Sequence, residues 1–94
     1  RVSAASVVAM QFPAVVTKDV HVRLRRIEGQ VRGLQRLIDE GAECQEIVTQ
    51  LAAVRGALDR VGFKLISSAL QHCAIEPDGD LDVAELEKLF LKLA

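Results

Sequence analysis

Two cysteines, Cys44 and Cys73, are the residues of this chain best suited to chemistry. Thiolates attack disulfide and persulfide sulfur, and they bind soft metal ions such as copper(I). Two cysteines far apart in 94 residues do not resemble the dense disulfide framework of a small secreted domain. We therefore expect reduced thiols in a cytoplasmic protein. Each cysteine alone would more simply be a small buried hydrophobic residue.

Both thiols lie on one predicted helix. The segment 44–73 contains no proline, and its apolar residues alternate steps of four and three, which is typical of a heptad seam. This seam comprises Ile47, Leu51, Val54, Leu58, Val61 and Leu65. A straight helix at 1.5 Å per residue holds Cys44 and Cys73 about 43 Å apart, so they cannot meet within one chain. An antiparallel copy crossing near Leu58 and Asp59 would place Cys44 of each chain close to Cys73 of the other.

A second long helix is predicted before this one. Thr17 is its expected N-cap, it runs to about Glu40, and Gly41 ends it. Gly29 and Gly33 within it indicate the close approach of a neighbouring backbone, because each weakens an isolated helix by about 1 kcal/mol relative to alanine. Its apolar seam comprises Val20, Leu24, Ile27, Val31, Leu34 and Ile38.

A loop and a short third helix should complete the chain. Residues 74–81 contain Pro77 and Gly79, which favour a loop, and Asp82 with Glu85 three residues later forms a capping box. Half of the chain is hydrophobic but only three residues are aromatic, which favours an aliphatic helical bundle without a sheet. We expect one all-α domain at 17–94. We expect residues 1–16 to be an N-terminal arm or a non-native remnant, with Met10 as a candidate native start and residues 1–9 as a remnant or an upstream extension. This stretch is too short and too interrupted to cross a membrane.

The charge of the chain is unevenly distributed, although the net value is only -1. Residues 18–36 carry six basic and two acidic side chains, or +4, whereas residues 74–94 carry two basic and six acidic ones, or -4. The basic segment is predicted to contact phosphates, and the alternative is a solvated face paired with acids. Arg60 and Lys64, one turn apart on the second long helix, could extend it. The alternative to phosphate contact is that Arg60 pairs with Asp59 and Lys64 pairs with a partner chain.

The run RIEGQVRGLQRLIDEGAEC at 26–44, continued by QLAAVRGALDRV at 50–61, resembles the copper-sensitive operon repressor family of metal-sensitive transcriptional repressors. The resemblance implies a cytoplasmic bacterial repressor, not an enzyme, with two long antiparallel helices and a short C-terminal helix per protomer. It also implies a four-helix-bundle dimer, a disc-shaped homotetramer and binding to operator DNA without a helix-turn-helix. Arg23 and Arg60 match basic positions that the family uses on DNA. Four further candidates for DNA binding are chosen only because of where their charges lie: Arg25, Arg26, Arg32 and Lys64.

The copper sensors of this family place a cysteine, a histidine 25 residues later and a cysteine four further on. Cys44 and Cys73 fit the outer positions, but Ala69 stands where the histidine would be. Retention of two thiols without the histidine resembles the persulfide-sensing branch that represses sulfur-transfer genes. We therefore expect no cofactor, and an inducer of reactive sulfur that bridges Cys44 and Cys73 between subunits.

Two alternatives remain open. The same repressor would sense copper(I), with Cys44 and Cys73 as its ligands, because soft thiolates favour that ion. The chain would otherwise be a helical thiol protein or coiled-coil adaptor that never binds DNA. The basic segment argues against the second alternative.

Overall fold

Three helices make up the part of the chain that the computed structural model describes, residues 11–75 and 82–94. Helix α1 spans Ala14–Asp39, α2 spans Cys44–Ile75 and α3 spans Val83–Leu93. None of the residues in these two ranges forms a strand. The predicted all-α class, with two long helices and a short third one, is confirmed. The molecule is elongated, with extents of 54 × 26 × 24 Å.

Helix α1 begins four residues earlier than predicted, so the assignment of Thr17 as its N-cap is wrong. Pro13 takes that place, and its carbonyl accepts hydrogen bonds from the backbone N–H groups of Val16 and Thr17 at 2.9 and 3.0 Å. The proline ring fixes φ near the helical value and has no N–H to leave unpaired. The Thr17 hydroxyl instead donates to the carbonyl of Ala14 at 3.1 Å, a bond that a threonine within a helix can form.

Gly41 ends α1 as predicted, and it does so through a left-handed backbone conformation with φ of 70°. The N–H of Gly41 donates to the carbonyl of Ile38, and the N–H of Ala42 donates to that of Leu37. This pair of bonds is the Schellman arrangement, which satisfies carbonyls at a helix C-terminus and reverses the chain. Helix α2 starts at Cys44, only three residues later.

Helices α1 and α2 form an antiparallel hairpin around a small aliphatic core. Its buried residues are Val20 and Ile27 of α1 and Val54 and Val61 of α2. The amide nitrogen of Gln50 donates to the carbonyl of Gln30 at 3.1 Å, which fixes the register at the turn end of the hairpin. Packing around the core is completed by Val16, Ala57 and Leu65.

Part of each apolar seam remains exposed on this hairpin, three of the six residues on α1 and two of the six on α2. Leu24, Val31, Ile38, Leu51 and Leu58 are 37–56% exposed. Close backbone approach at Gly29 and Gly33 is not found within the protomer, so that explanation of the glycines is wrong for a single chain. A Cβ at Gly29 would meet only the Arg32 guanidinium at 3.8 Å, and one at Gly33 only the Gln50 side chain at 3.6 Å.

Helix α3 returns along the second half of α2. The Asp82 carboxylate accepts a hydrogen bond from the backbone N–H of Glu85 at 2.8 Å, so Asp82 is the N-cap that the sequence predicts. Leu86 is buried with Ala69 and Cys73, and Phe12 and Ile66 pack against them. The predicted loop begins too early, because α2 continues through residues 74 and 75. Residues 76–81, with Pro77 and Gly79, lie outside the described ranges.

Candidate functional site

Cys44 is the first residue of α2 and is exposed. The preceding residue, Glu43, supplies the carbonyl that accepts from the N–H groups of Glu46 and Ile47 at 3.0 and 3.1 Å. Cys44 is therefore a free thiol that a reagent in solvent can reach.

Cys73 lies near the other end of α2 in a different environment. It is 6% exposed, and it shares its apolar cluster with Ala69 one turn earlier and with Leu86 of α3. The two thiols therefore differ in access, since one is open to solvent and the other is covered by a helix.

The two thiols do not meet within one protomer. Helix α2 is continuous over its 32 residues, so its rise of 1.5 Å per residue separates Cys44 from Cys73 by about 43 Å. The prediction that they cannot join within one chain is confirmed. Their approach between reversed neighbouring chains stays a prediction.

No set of three or more metal-binding side chains forms within the described part of one protomer. The position expected for a histidine is occupied by Ala69, which is 5% exposed and has no donor atom. His72 is partly exposed and lies next to Cys73 in the chain, about 100° around the helix from it. One protomer thus offers copper(I) two widely separated thiols and no third ligand between them.

The predicted DNA-binding residues divide into two groups. Arg23, Arg60 and Lys64 line one groove of about 660 Å³ between the start of α1 and the second half of α2. Arg26 lies beside Arg23 and Arg60 at an adjoining smaller cleft. Arg25 is exposed on α1 without lining either cleft, and Arg32 lies with Arg36 at a separate cleft nearer the hairpin turn. The structure therefore brings together four of the six predicted residues.

Asp19 joins two of these cations, and sequence reasoning missed that role. Its Oδ2 atom lies 2.9 Å from Nζ of Lys64 and 3.4 Å from Nε of Arg23. The pairing with Arg23 follows the helical spacing of four residues and was visible in the sequence. The pairing with Lys64 depends on the register of the hairpin. Lys64 thus already has a partner within the protomer, and its pairing with a partner chain stays a prediction.

These two cations lower the pKa of the Asp19 carboxyl. The hydrogen bond from Lys64 is the main reason that the pKa of this carboxyl lies below its ordinary value of 3.8, and the hydrogen bond from Arg23 adds to the effect. Partial desolvation opposes both, because it disfavours the charged form. Asp19 is accordingly a carboxylate at neutral pH, and the groove holds three cations and one anion.

The remaining lining of the groove is polar on one side and apolar on the other. Ser67, Ser68 and Gln71 continue along α2 from Arg60 and Lys64, while Val15, Val16 and Phe63 supply apolar surface. Hydroxyl and amide groups beside cations are the side chains that contact sugar and phosphate in nucleic-acid complexes.

None of the helices in 11–75 and 82–94 combines the length and the apolar character that a bilayer-spanning segment needs.

The hairpin has an exposed apolar seam, a basic groove and a thiol near each end of one long helix, and it defines a small all-α class of protein. Residues 16–92 match the model of the metal-sensitive transcriptional repressor family, and the chain belongs to that family. The resemblance noted in the sequence is thereby confirmed at the level of the family.

Two curated relatives illustrate the membership. The chain is 39% identical over 77 residues to the copper-sensing transcriptional repressor RicR of Mycobacterium tuberculosis, covering 76% of this chain and 80% of the relative. It is 36% identical over 74 residues to the copper-sensing transcriptional repressor CsoR of Bacillus subtilis, covering 74% of this chain and 73% of the relative. No solved structure matches the chain at a significant level.

Proposed function

We propose that this protein is a cytoplasmic transcriptional repressor that leaves its operator DNA when Cys44 of one subunit is bridged to Cys73 of another. The observation that carries the proposal is the placement of the two thiols, about 43 Å apart on one unbroken helix, so that only a second chain can bring them together. Membership of a repressor family and the basic groove support the part of the proposal that concerns DNA binding. A coupling free energy of roughly 1–3 kcal/mol between the bridge and DNA release is the usual scale.

The exposed part of the two hairpin seams is the surface on which the second chain packs. Leucine, isoleucine and valine side chains at heptad spacing gain free energy when they leave water, about 25 cal/mol per Å² of apolar area. Two hairpins packed antiparallel through this seam form a four-helix bundle, and two bundles form the tetramer. This arrangement supplies two equivalent Cys44–Cys73 sites per dimer.

Reactive sulfur is the inducer that best suits this set of residues. The Cys44 thiolate attacks the terminal sulfur of an organic persulfide, so that Cys44 becomes a persulfide and the organic thiol leaves. The thiolate of the partner's Cys73 then attacks the sulfur of Cys44, which forms an intersubunit disulfide and releases hydrogen sulfide. The exposure of Cys44 and the cover over Cys73 support this order of reaction. The alanine at position 69 supports a chemistry that needs two thiols and no imidazole.

Copper(I) is the second candidate inducer, and both relatives favour it, since each is named as copper-sensing. Two thiolates suit a soft monovalent ion. The fit is partial, because two positions of the three-ligand pattern carry sulfur and the third is Ala69. Under this alternative Cys44 and the partner's Cys73 would hold the ion.

A paired assay tests the sulfur chemistry. The reduced protein is treated anaerobically with an organic persulfide, then intact-mass spectrometry and a band shift on the DNA upstream of its own gene are recorded together. We expect an intersubunit species joining Cys44 to Cys73 and loss of the shifted band. Cys44→Ser and Cys73→Ser each replace one sulfur atom by oxygen and should abolish both changes. Operator binding that persists unaltered, with no intersubunit species, would exclude this inducer.

A competition with a copper(I) chelator distinguishes the two inducers. Two thiolates without a third ligand should lose copper(I) to the chelator. The protein–DNA complex should therefore persist when copper(I) is added. Tight binding together with release of the DNA would establish copper(I) as the inducer and overturn the sulfur proposal. Absence of a salt-dependent band shift in the untreated protein would instead favour the helical adaptor that does not bind DNA.

A further inference from the structure

The groove between α1 and α2 contains its own anion. Asp19 places one carboxylate oxygen, Oδ2, against Lys64 of α2 and Arg23 of α1 at 2.9 and 3.4 Å. One oxygen shared by an ammonium and a guanidinium is the arrangement that a phosphate oxygen adopts between two basic side chains. Arg60 lines the same groove on the turn of α2 before Lys64.

The three partners remain open to solvent, so these ion pairs can exchange. The side chains of Arg23, Asp19 and Lys64 are 34%, 41% and 42% exposed. Ion pairs at such exposure contribute little to folding, because water and salt screen them and the side chains lose entropy on pairing. An incoming anion of higher charge can therefore displace the carboxylate without unfolding the hairpin.

The groove also carries groups that suit a nucleic-acid backbone rather than a small anion. Ser67 and Gln71 lie one and two turns beyond Lys64 along α2 and line the groove with it. Three cations and one carboxylate leave the lining with a net charge of +2 while Asp19 is present. Removal of that one negative charge raises the lining to +3.

We propose that Asp19 is an internal competitor of DNA phosphate, which occupies Lys64 and Arg23 in the free protein and is displaced from them when the DNA backbone enters the groove. This inference rests on the proposed function, because it assumes that the groove meets DNA. Asp19 weakens binding to any duplex by a similar factor, since phosphate contacts carry no sequence information. It thereby holds down non-specific binding, which depends on these contacts most strongly.

The test compares Asp19→Asn with the wild-type protein on two duplexes of equal length and composition, the DNA upstream of its own gene and a scrambled sequence. We expect Asp19→Asn to bind both about two- to five-fold more tightly per engaged protomer at low salt, the range of a surface ion pair. The plot of log affinity against log salt should become steeper by about 1, because the lining of the groove gains one net positive charge. Glu28→Gln removes the same charge from an exposed position of α1 outside the groove and should change the affinity less.

A double-mutant cycle shows whether Asp19 acts through Lys64. The gain from Asp19→Asn should shrink when Lys64→Gln is already present, whereas independent effects would add. Unchanged or weaker DNA binding by Asp19→Asn, while the wild-type protein binds normally, would overturn the inference and leave the repressor proposal intact. Failure of the wild-type protein to bind either duplex would overturn the proposed function itself.

A buffer comparison separates the DNA backbone from free phosphate as the ligand of the groove. Affinities are measured in sodium phosphate and in sodium chloride at equal ionic strength. Equal affinities support the backbone as the ligand. A selective loss in phosphate buffer that disappears in Lys64→Gln would show that free phosphate competes with the DNA backbone for Lys64, and would also support the assignment of the groove to DNA.

Discussion

Leu93 of α3 packs directly against Gly62 of α2, with its Cδ1 atom 2.9 Å from the position that a Cβ on Gly62 would occupy. The absence of a side chain at Gly62 allows the C-terminal helix to lie close to α2. Leu86, two turns earlier on α3, is then buried beside Ala69 and Cys73. The thiol expected to complete the intersubunit bridge is therefore covered by the short C-terminal helix, which docks on α2.

The N-cap of α3 should control access to Cys73. Asp82→Ala removes the carboxylate that accepts from the N–H of Glu85, which costs about 1 kcal/mol of helix stability. If this lost stability weakens the packing of α3 on α2, alkylation of Cys73 should accelerate about five-fold. Alkylation of Cys44 should not change. The rates are measured by mass spectrometry of peptides after timed treatment with iodoacetamide.

Asp82→Asn is the matched control, because asparagine caps helices as well as aspartate does. It should leave the alkylation of Cys73 near the wild-type rate. Equal acceleration in both variants would point to lost charge instead of lost capping. An unchanged rate in Asp82→Ala would show that α3 does not control access to this thiol.

The aliphatic core of the hairpin should dominate the stability of the protein. Ile27 is buried between Val20, Val54 and Val61, so Ile27→Ala removes packed atoms and leaves a cavity. We expect a loss of about 2–4 kcal/mol in the free energy of unfolding, measured by urea denaturation at fixed protein concentration. Val15→Ala deletes apolar atoms at a position that is 75% exposed and should cost less than about 0.5 kcal/mol. Similar losses in the two variants would contradict the described core.

The turn between α1 and α2 depends on the left-handed conformation of Gly41. Gly41→Ala places a Cβ on a backbone with φ of 70°, which should destabilise the protein by about 1 kcal/mol. Gly29→Ala replaces a glycine of ordinary helical conformation and should instead stabilise the helix by about 0.5–1 kcal/mol. Melting temperatures check this prediction: Gly41→Ala should melt below the wild-type protein and Gly29→Ala above it. Destabilisation by Gly29→Ala would indicate that another chain approaches α1 at that residue.

The acid side of the stability profile should depend on Asp19. Its folded-state pKa is lowered by Lys64, so the ionised carboxylate stabilises the folded protein above the ordinary value of 3.8, and this contribution is lost as the pH falls through the folded-state pKa. Denaturation midpoints of wild-type protein and Asp19→Asn should therefore differ by a small amount at pH 6, and the difference should vanish as the pH falls below the ordinary value of 3.8 and through the folded-state pKa. A constant difference across this range would assign the effect of the substitution to packing.

The sequence predicted the features that depend on local pattern. The heptad steps from Ile47 to Leu65 and the absence of proline predicted the unbroken α2, the glycine at 41 predicted the end of α1, and Asp82 predicted the start of α3. Thr17 failed as an N-cap because the proline at 13 provides an earlier start. Threonine also bonds well to a carbonyl within a helix, so its presence alone does not mark a boundary.

The features that were missed depend on how helices pack against one another. The salt bridge from Lys64 to Asp19 joins residues 45 positions apart, and only the register of the hairpin brings them together. The burial of Cys73 beneath Leu86 likewise depends on the return of α3, which no periodicity within α2 reveals. The candidate thiols and cations were therefore identified by residue type, whereas their partners and their access to solvent required the fold.

The substitution Ala69→His tests the assignment of this position to the missing ligand of the copper sensors. An imidazole there would add a third donor one turn before Cys73, and we expect copper(I) to be held markedly more tightly against a chelator. Ala69 is buried with Leu86, so the larger side chain should also cost about 1–3 kcal/mol of stability through overpacking.

Leu86→Ala supplies the space that the imidazole needs, and the two substitutions should be compared alone and together. Leu86→Ala alone adds no donor and should not raise the affinity for copper(I). The double variant should recover part of the stability lost in Ala69→His and keep the gain in affinity, because the cavity left by the leucine accommodates the ring. An affinity for copper(I) that stays at the wild-type level in both histidine variants would show that position 69 does not face the thiols, and the model of the intersubunit site would have to be abandoned.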